Sequence, residues 1–430
     1  MSVWLAGVLA ALGLLLVIPA VWVFVTVTSK PLHPVAADVP TVGNAAPASG
    51  AVSNRVEKAR QIALTHLVAK NLPGLSVAVG VDGNVVWAEG LGFADLEGSV
   101  RVTPAHRFRI GTASIALTSA AVGLLIEKGR LKLGDEIQAY VPEFPRKQWP
   151  VTLRQVMGHT AGLTNDSGDE GPLFSQHCEK PVEALPAFAE TPLRFQPGTD
   201  FRHSSYGWIV VSSAVEAAAR QPFLRFMRER IFDPVGMRDT APDPSRMEDD
   251  DDFPVANLIR ELIFDPRARR DRAGRPPSAE EAGQGPLVTA YFPRFAADPG
   301  YGLHLMRPLN YSCYAGASVF VSTPSDLARF GMAVQSGQLL QPATVGMLQT
   351  SQRLASGEGT DYGLGWYVKT ATVNGRSTRL VGHDGHSLGG MVASLVMLPE
   401  YRVVVAVTSN ISYADTFSVA VKVGEAFVDR

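Results

Sequence analysis

The sequence predicts an α+β fold: one antiparallel sheet, flanked by helices and built from both chain ends, with a mostly helical domain inserted between them. Three observations predict it. A helix followed by a hairpin begins near residue 54, a hairpin followed by a helix closes the chain, and helical patterning prevails from Thr112 to Ser245. The chain has 430 residues, enough for a sizeable core.

The first element is apolar. Ser2 to Ser29 carries no charge and is dominated by Leu, Val, Ala and Trp. About 20 apolar residues cross the hydrocarbon core as a helix, so residues 1–29 are expected to be a transmembrane anchor. A cleavable signal peptide is the rival reading. It expects a basic start and an apolar core of roughly 7–15 residues, and neither is present. Residues 30–53, rich in Pro, Ala, Val and Gly, are expected to be a linker.

The folded domain is then expected over 54–430. Ala59, Ile62, Ala63 and Leu67 recur at helical spacing within Asn54–Lys70. Leu75–Val81 and Asn84–Glu89 read as strands joined by a turn at Asp82-Gly83. At the far end, Met391–Leu398 and Arg402–Ser409 are Val-rich strands around a turn at Pro399-Glu400. Phe417, Ala420, Val421 and Phe427 then mark a last helix. The helical part is expected over about 112–310, the sheet part over 54–111 and 311–430. The acidic run Glu248–Asp252 and the basic stretch Arg267–Pro277 read as a solvated insertion.

Composition excludes several function classes. A net charge of −2 offers no basic field for nucleic acid. The two cysteines, Cys178 and Cys313, cannot build a structural zinc site and are expected to stay unpaired, although pairing is open to them outside the cytosol. The histidines contain no H-E-x-x-H, and no carboxylate or cysteine joins them at ligand spacing, so no metal and no cofactor are expected.

A set of strings carries a resemblance. It comprises Leu72-Pro73-Gly74, Phe108-Arg109-Ile110-Gly111, His159-Thr160-Ala161-Gly162-Leu163, Phe195-Gln196-Pro197-Gly198-Thr199 and Pro234-Val235-Gly236-Met237. Ser322-Thr323-Pro324-Ser325-Asp326-Leu327, Tyr362-Gly363-Leu364-Gly365-Trp366 and Gly382-His383-Asp384-Gly385 complete it. In this order they resemble the serine β-lactamase and penicillin-binding-protein superfamily, class C and D,D-peptidase side. Tyr140-Val141-Pro142-Glu143-Phe144-Pro145 and Ser204-Ser205-Tyr206-Gly207 are similar to the mitochondrial serine β-lactamase-like branch. The resemblance implies acyl transfer on peptides or amides, and a domain outside the cytoplasm, against the weak inward pull of Lys30.

The family's chemistry rests on S-x-x-K, on Y-x-N and on a K-T-G or H-T-G strand. In register, S-x-x-K falls on Thr112-Ala113-Ser114-Ile115, so an isoleucine stands where the lysine base belongs. None of the chain's lysines has a serine three residues before it. Y-x-N falls on His203-Ser204-Ser205, and the third motif is His383-Asp384-Gly385, followed by His386. The resemblance therefore implies catalytic positions at Thr112, His203 and His383. It implies an oxyanion hole from the backbone of Thr112 and His386, in a cleft lined by Ser114, Ser205, Asp384 and Gly385.

Three functions follow as expectations. The first is an impaired hydrolase homologue, because loss of one member of such a unit costs on the order of 10⁴-fold or more. The second is a rewired hydrolase, with His203 as base for Thr112, since an imidazole with pKa near 6.5 is a better neutral-pH base than a phenol. The third is a non-catalytic module, held at the membrane by its anchor, that binds a peptide or amide ligand or a protein partner whose identity the sequence leaves open.

Overall fold

A computed structural model describes residues 13, 15–21, 31–43, 50–165, 172–244, 285–293, 303–306, 309–387, 390–412 and 414–428. Its main sheet uses β1 (Thr41–Gly43), β2 (Gly74–Val81), β3 (Asn84–Asp95), β4 (Tyr367–Val373), β5 (Arg376–Ser387), β6 (Met391–Leu398) and β7 (Val403–Ser409). Their order is β1-β3-β2-β7-β6-β5-β4, all antiparallel, with a short strand at Val100–Arg101 beside β3. The two predicted hairpins meet where β7 pairs with β2, Val405 opposite Val79. The sheet from both chain ends is as expected.

Strand side chains alternate between faces, and here both faces are covered, so β6 and β7 are buried along their whole length. Val403, Val405 and Val407 join Leu75, Val77 and Val79 in one core. Helix α1 (Gly50–Ala69) contributes Val56, Ala59, Ala63 and Leu67 to it, and the last helix (Thr416–Ala426) adds Val419, Ala420 and Val423. Val404 and Ala406 face the other way, into the core of the inserted helices. Each such Val or Leu, fully buried, stabilises the fold by roughly 1.5–3 kcal/mol.

The inserted domain is built around α2 (Ser114–Glu127) and α3 (Ser205–Ala219). Most of α2 is buried, from Ser114 through Gly123, so its sequence is apolar on every side. Helix α4 (Pro324–Gln335) lies between this domain and the sheet, packed on β2 and β7. It belongs to the stretch assigned by sequence to the sheet part.

Several expectations are corrected. Part of the linker is built into the domain. Thr41–Gly43 extends the sheet against Leu91–Glu89, His33 stacks on Phe93, and a ring nitrogen of His33 lies 3.0 Å from the Leu72 carbonyl. An exposed sheet edge offers unpaired backbone groups to any nearby chain, which needs no apolar alternation to use them. The cysteines are bonded to each other: Cys178 and Cys313 are 135 residues apart in sequence, with Cα atoms 4.8 Å apart. The fold brings them together where Phe174 stacks on Tyr314 at 4.5 Å and the Cys178 amide donates to Ser312 Oγ at 3.0 Å.

The anchor lies largely outside the described residues. Leu15–Val21 is helical with exposed apolar side chains, and among the described residues no helix is long and apolar enough to cross a membrane. The Glu248–Asp252 and Arg267–Pro277 runs also lie outside the described residues.

Candidate functional site

Thr112 sits in a tight turn, Gly111–Ala113, that leads into α2. β5 runs against this turn. A Cβ added to Gly385 would lie 1.7 Å from the Ile110 carbonyl oxygen and 2.6 Å from the Ala113 amide nitrogen, so only glycine allows the approach. This contact brings Thr112 beside the third motif, as the resemblance implies. Thr112 Oγ1 donates to the Asp384 carbonyl at 3.1 Å. Ile115, at the family's lysine position, is fully buried in the core of the inserted helices.

The other positions divide. Ser114 is fully buried and its Oγ has no hydrogen-bond partner, so it belongs to the core and not to a cleft surface. Ser204 caps α3, accepting from the Gly207 amide at 3.1 Å, and the Ser205 amide donates to Asn165 Oδ1 at 2.8 Å. These two serines set the start of the helix. Asp384 contributes its carbonyl, while its side chain takes the opposite face of β5. There it pairs across the sheet with Ser394, whose hydroxyl also meets Thr416 at 2.7 Å. Burial raises its carboxyl pKa to about 6. His386 is exposed at the end of β5.

His203 does not pair with Thr112. Among the described residues it makes no hydrogen bond to that hydroxyl, and its ring packs on His159, with centroids 4.4 Å apart. Desolvation lowers its pKa to about 4, which leaves it neutral and a poor base. The expected hydroxyl–imidazole pair is absent because the turn before α3 aims the ring at His159.

His159 and Tyr362 complete the arrangement, and sequence reasoning passed over both. His159 follows the short helix Leu153–Met157 with φ at +58°, the left-handed value common just beyond a helix end. Its Nδ1 accepts from the Ser204 amide at 3.1 Å, and its Nε2 is 3.2 Å from Tyr362 Oη. Tyr362 Oη is 2.9 Å from His383 Nε2, and His383 Nδ1 is 2.6 Å from the Asp384 carbonyl. Tyr367 packs on His383 with centroids 4.9 Å apart. Burial drives His159 well below its ordinary pKa, lowers His383 to about 3 and raises Tyr362 well above its usual value. Both missed residues lie in family-like strings, His159-Thr160-Ala161-Gly162-Leu163 and Tyr362-Gly363-Leu364-Gly365-Trp366, so the signal was present as register without a role.

The arrangement can accept and donate hydrogen bonds, but it holds no cation. Both ring nitrogens of His383 are engaged, and no base touches Thr112 Oγ1 among the described contacts. Among the described residues no cluster of His, Cys, Asp or Glu could hold a metal ion. A cavity of about 300 Å³ between β4 and the last helix, lined by Lys369, Leu380, Phe417, Val421 and Lys422, lies apart from this group.

Comparisons with known proteins bear on the family and the fold. The chain is similar to the human mitochondrial serine beta-lactamase-like protein LACTB, 28% identical over 267 residues, covering 46% of this chain and 48% of that protein. It is also similar to the putative penicillin-binding protein PbpX of Bacillus subtilis, 28% identical over 157 residues, covering 36% and 38%. It thus spans about half or less of the curated relatives it matches. Among solved structures, the octameric penicillin-binding protein homologue from Pyrococcus abyssi aligns with a TM-score of 0.64 at 20% identity, covering 85% of this chain and 76% of that one. EstCE1, a hydrolase with promiscuous acyltransferase activity, aligns with a TM-score of 0.66 at 19% identity, covering 88% and 100%. The family model described as Beta-lactamase matches residues 56–426, and the chain belongs to that family.

Proposed function

We propose that this chain is a catalytically impaired, membrane-anchored member of the beta-lactamase family that binds a peptide or amide ligand without turning it over. The observation that carries this is Ile115. It occupies the position of the family's base, is fully buried and cannot take a proton. The surroundings add support. The hydroxyl of Thr112 donates to a carbonyl and not to a base, and His203 and His383 are neutral with low basicity. A nucleophile of this kind needs an adjacent base or a lowered pKa, and neither stands next to Thr112. The Thr112–His203 hydrolase is therefore not the favoured reading.

Anchoring rests on the uncharged stretch Ser2–Ser29. A location outside the cytosol is supported by the Cys178–Cys313 bond, because disulfides persist in oxidising compartments. The human relative is itself described as mitochondrial.

Covalent labelling tests the proposal. The full-length chain is treated with a fluorophosphonate and, separately, with a β-lactam, and its intact mass is read beside Thr112→Ala. The expected result is an unmodified mass for a folded protein, and a higher melting temperature with a short peptide amide that yields no product. An adduct that disappears in Thr112→Ala would overturn it.

A further inference from the structure

The hydrogen bonds around His383 form one continuous chain whose two ends are backbone groups of fixed polarity. At one end stands the Ser204 N–H, which can only donate. It donates to His159 Nδ1, so the single proton of neutral His159 is on Nε2. That Nε2–H faces Tyr362 Oη, which accepts it. The phenol's own proton then points to His383 Nε2, and the proton of His383 is left on Nδ1. At the far end stands the Asp384 carbonyl, which can only accept. It receives both His383 Nδ1–H and Thr112 Oγ1–H. Every link carries one proton, and only one direction satisfies both ends.

We propose that His159 and Tyr362 are positioning residues of the site: through this proton-ordered chain they hold His383 as its Nδ1–H tautomer and tie the start of α3 to the strand edge at Thr112. The idea goes beyond the impaired-hydrolase reading and does not depend on it, since it concerns how the site is held and not whether Thr112 reacts. It has a physical consequence. A second proton on His159 would fall on Nδ1 and face the Ser204 N–H, and one on His383 would fall on Nε2 and face the Tyr362 O–H. The chain therefore disfavours a charge on either imidazole. It joins residues far apart in sequence, Ser204 of the inserted domain and Asp384 of the sheet, so it also holds the two parts together at the site. His203, packed on His159, stands outside it.

The test is nitrogen NMR of the full-length chain with ring-¹⁵N histidine, where pyrrole-like and pyridine-like nitrogens are resolved. His159→Gln and His383→Gln assign the signals. The expected result is a protonated Nε2 for His159 and a protonated Nδ1 for His383, each as a single tautomer. In Tyr362→Phe, the pyridine-like Nε2 signal of His383 is expected to shift as it loses its hydrogen-bond donor, while Nδ1 stays protonated against the Asp384 carbonyl. A residue that merely filled space would leave the Nε2 signal unchanged on loss of its hydroxyl. A native His383 protonated on Nε2, or an unchanged Nε2 signal in Tyr362→Phe, would overturn the proposal. Should that variant fail to fold, the native tautomers alone decide. A fluorophosphonate adduct would sink the impaired-hydrolase reading and leave this one standing.

Discussion

Near one edge of the main sheet, Glu89 on β3 keeps a buried carboxylate, and near the other edge His383 on β5 keeps a buried imidazole without charge. Glu89 accepts from Arg60 Nε at 2.9 Å on both oxygens and from Trp87 Nε1 at 2.8 Å. Its side chain is 3% exposed, whereas that of Arg60 is 27% exposed, so the guanidinium keeps a route to water. His383 has only neutral partners, Tyr362 and a carbonyl. A buried charge persists where a counter-charge and hydrogen bonds meet it, and otherwise the group gives up its charge. The fold can bury charge where a counter-charge meets it, and around His383 it buries neutral groups instead.

Charge added to the neutral cluster should have the largest effect. Ile115→Lys restores the family residue in a fully buried position whose surroundings no longer pair with it. A lysine there is expected to lose its proton or destabilise the fold by about 4 kcal/mol, equal to roughly three pKa units. Urea unfolding reads the loss, and an unchanged midpoint would show that the site still accommodates a cation.

Charge removed from the ionic cluster should matter somewhat less. Glu89→Gln keeps the volume but leaves Arg60 with a neutral partner, for an expected loss of about 3 kcal/mol, toward the lower end for a broken buried pair because Arg60 reaches solvent. A change within error would mean that the pair offers nothing beyond packing.

Acidification should act mainly on the neutral cluster. His159, His203 and His383 have folded pKa values below their unfolded value, so the unfolded chain binds protons that the native one refuses. Their contribution falls as pH drops below about 6.5. Asp326 and Asp384, raised by burial to about 6, act in the opposite direction and recover stability as they protonate. From pH 7 to pH 5.5 these three, together with His33, His66, His106 and His386, whose pKa values desolvation also lowers, outweigh the two carboxyls, so stability falls. Rising stability over that interval, measured by denaturant titration, would show that the imidazoles are charged in the folded state.

Much of the fold was legible because its signals are local. Met391–Leu398 emerged at its expected limits, and Ala59, Ala63 and Leu67 lie on the buried face of α1 as their spacing implied. The isoleucine at 115, where the resemblance implies a lysine, was legible from neighbouring residues alone. β1 was missed because its pairing depends on an edge strand that the linker's composition does not advertise. Asp384 was placed in the cleft by motif, yet strand alternation sends its side chain to the other face and leaves only its carbonyl at Thr112.

By itself, then, the sequence determined the sheet from both chain ends, the order of the motifs and the isoleucine in register with the family's S-x-x-K motif. Each of these follows from side-chain periodicity or from residue identity at a fixed offset. Tertiary structure alone decided the bond between Cys178 and Cys313, the stacking of His203 on His159 and the chain from Ser204 through His159 and Tyr362 to His383. A hydrogen bond or disulfide depends on distances of a few ångströms between side chains, and no local pattern encodes them until packing brings distant segments together.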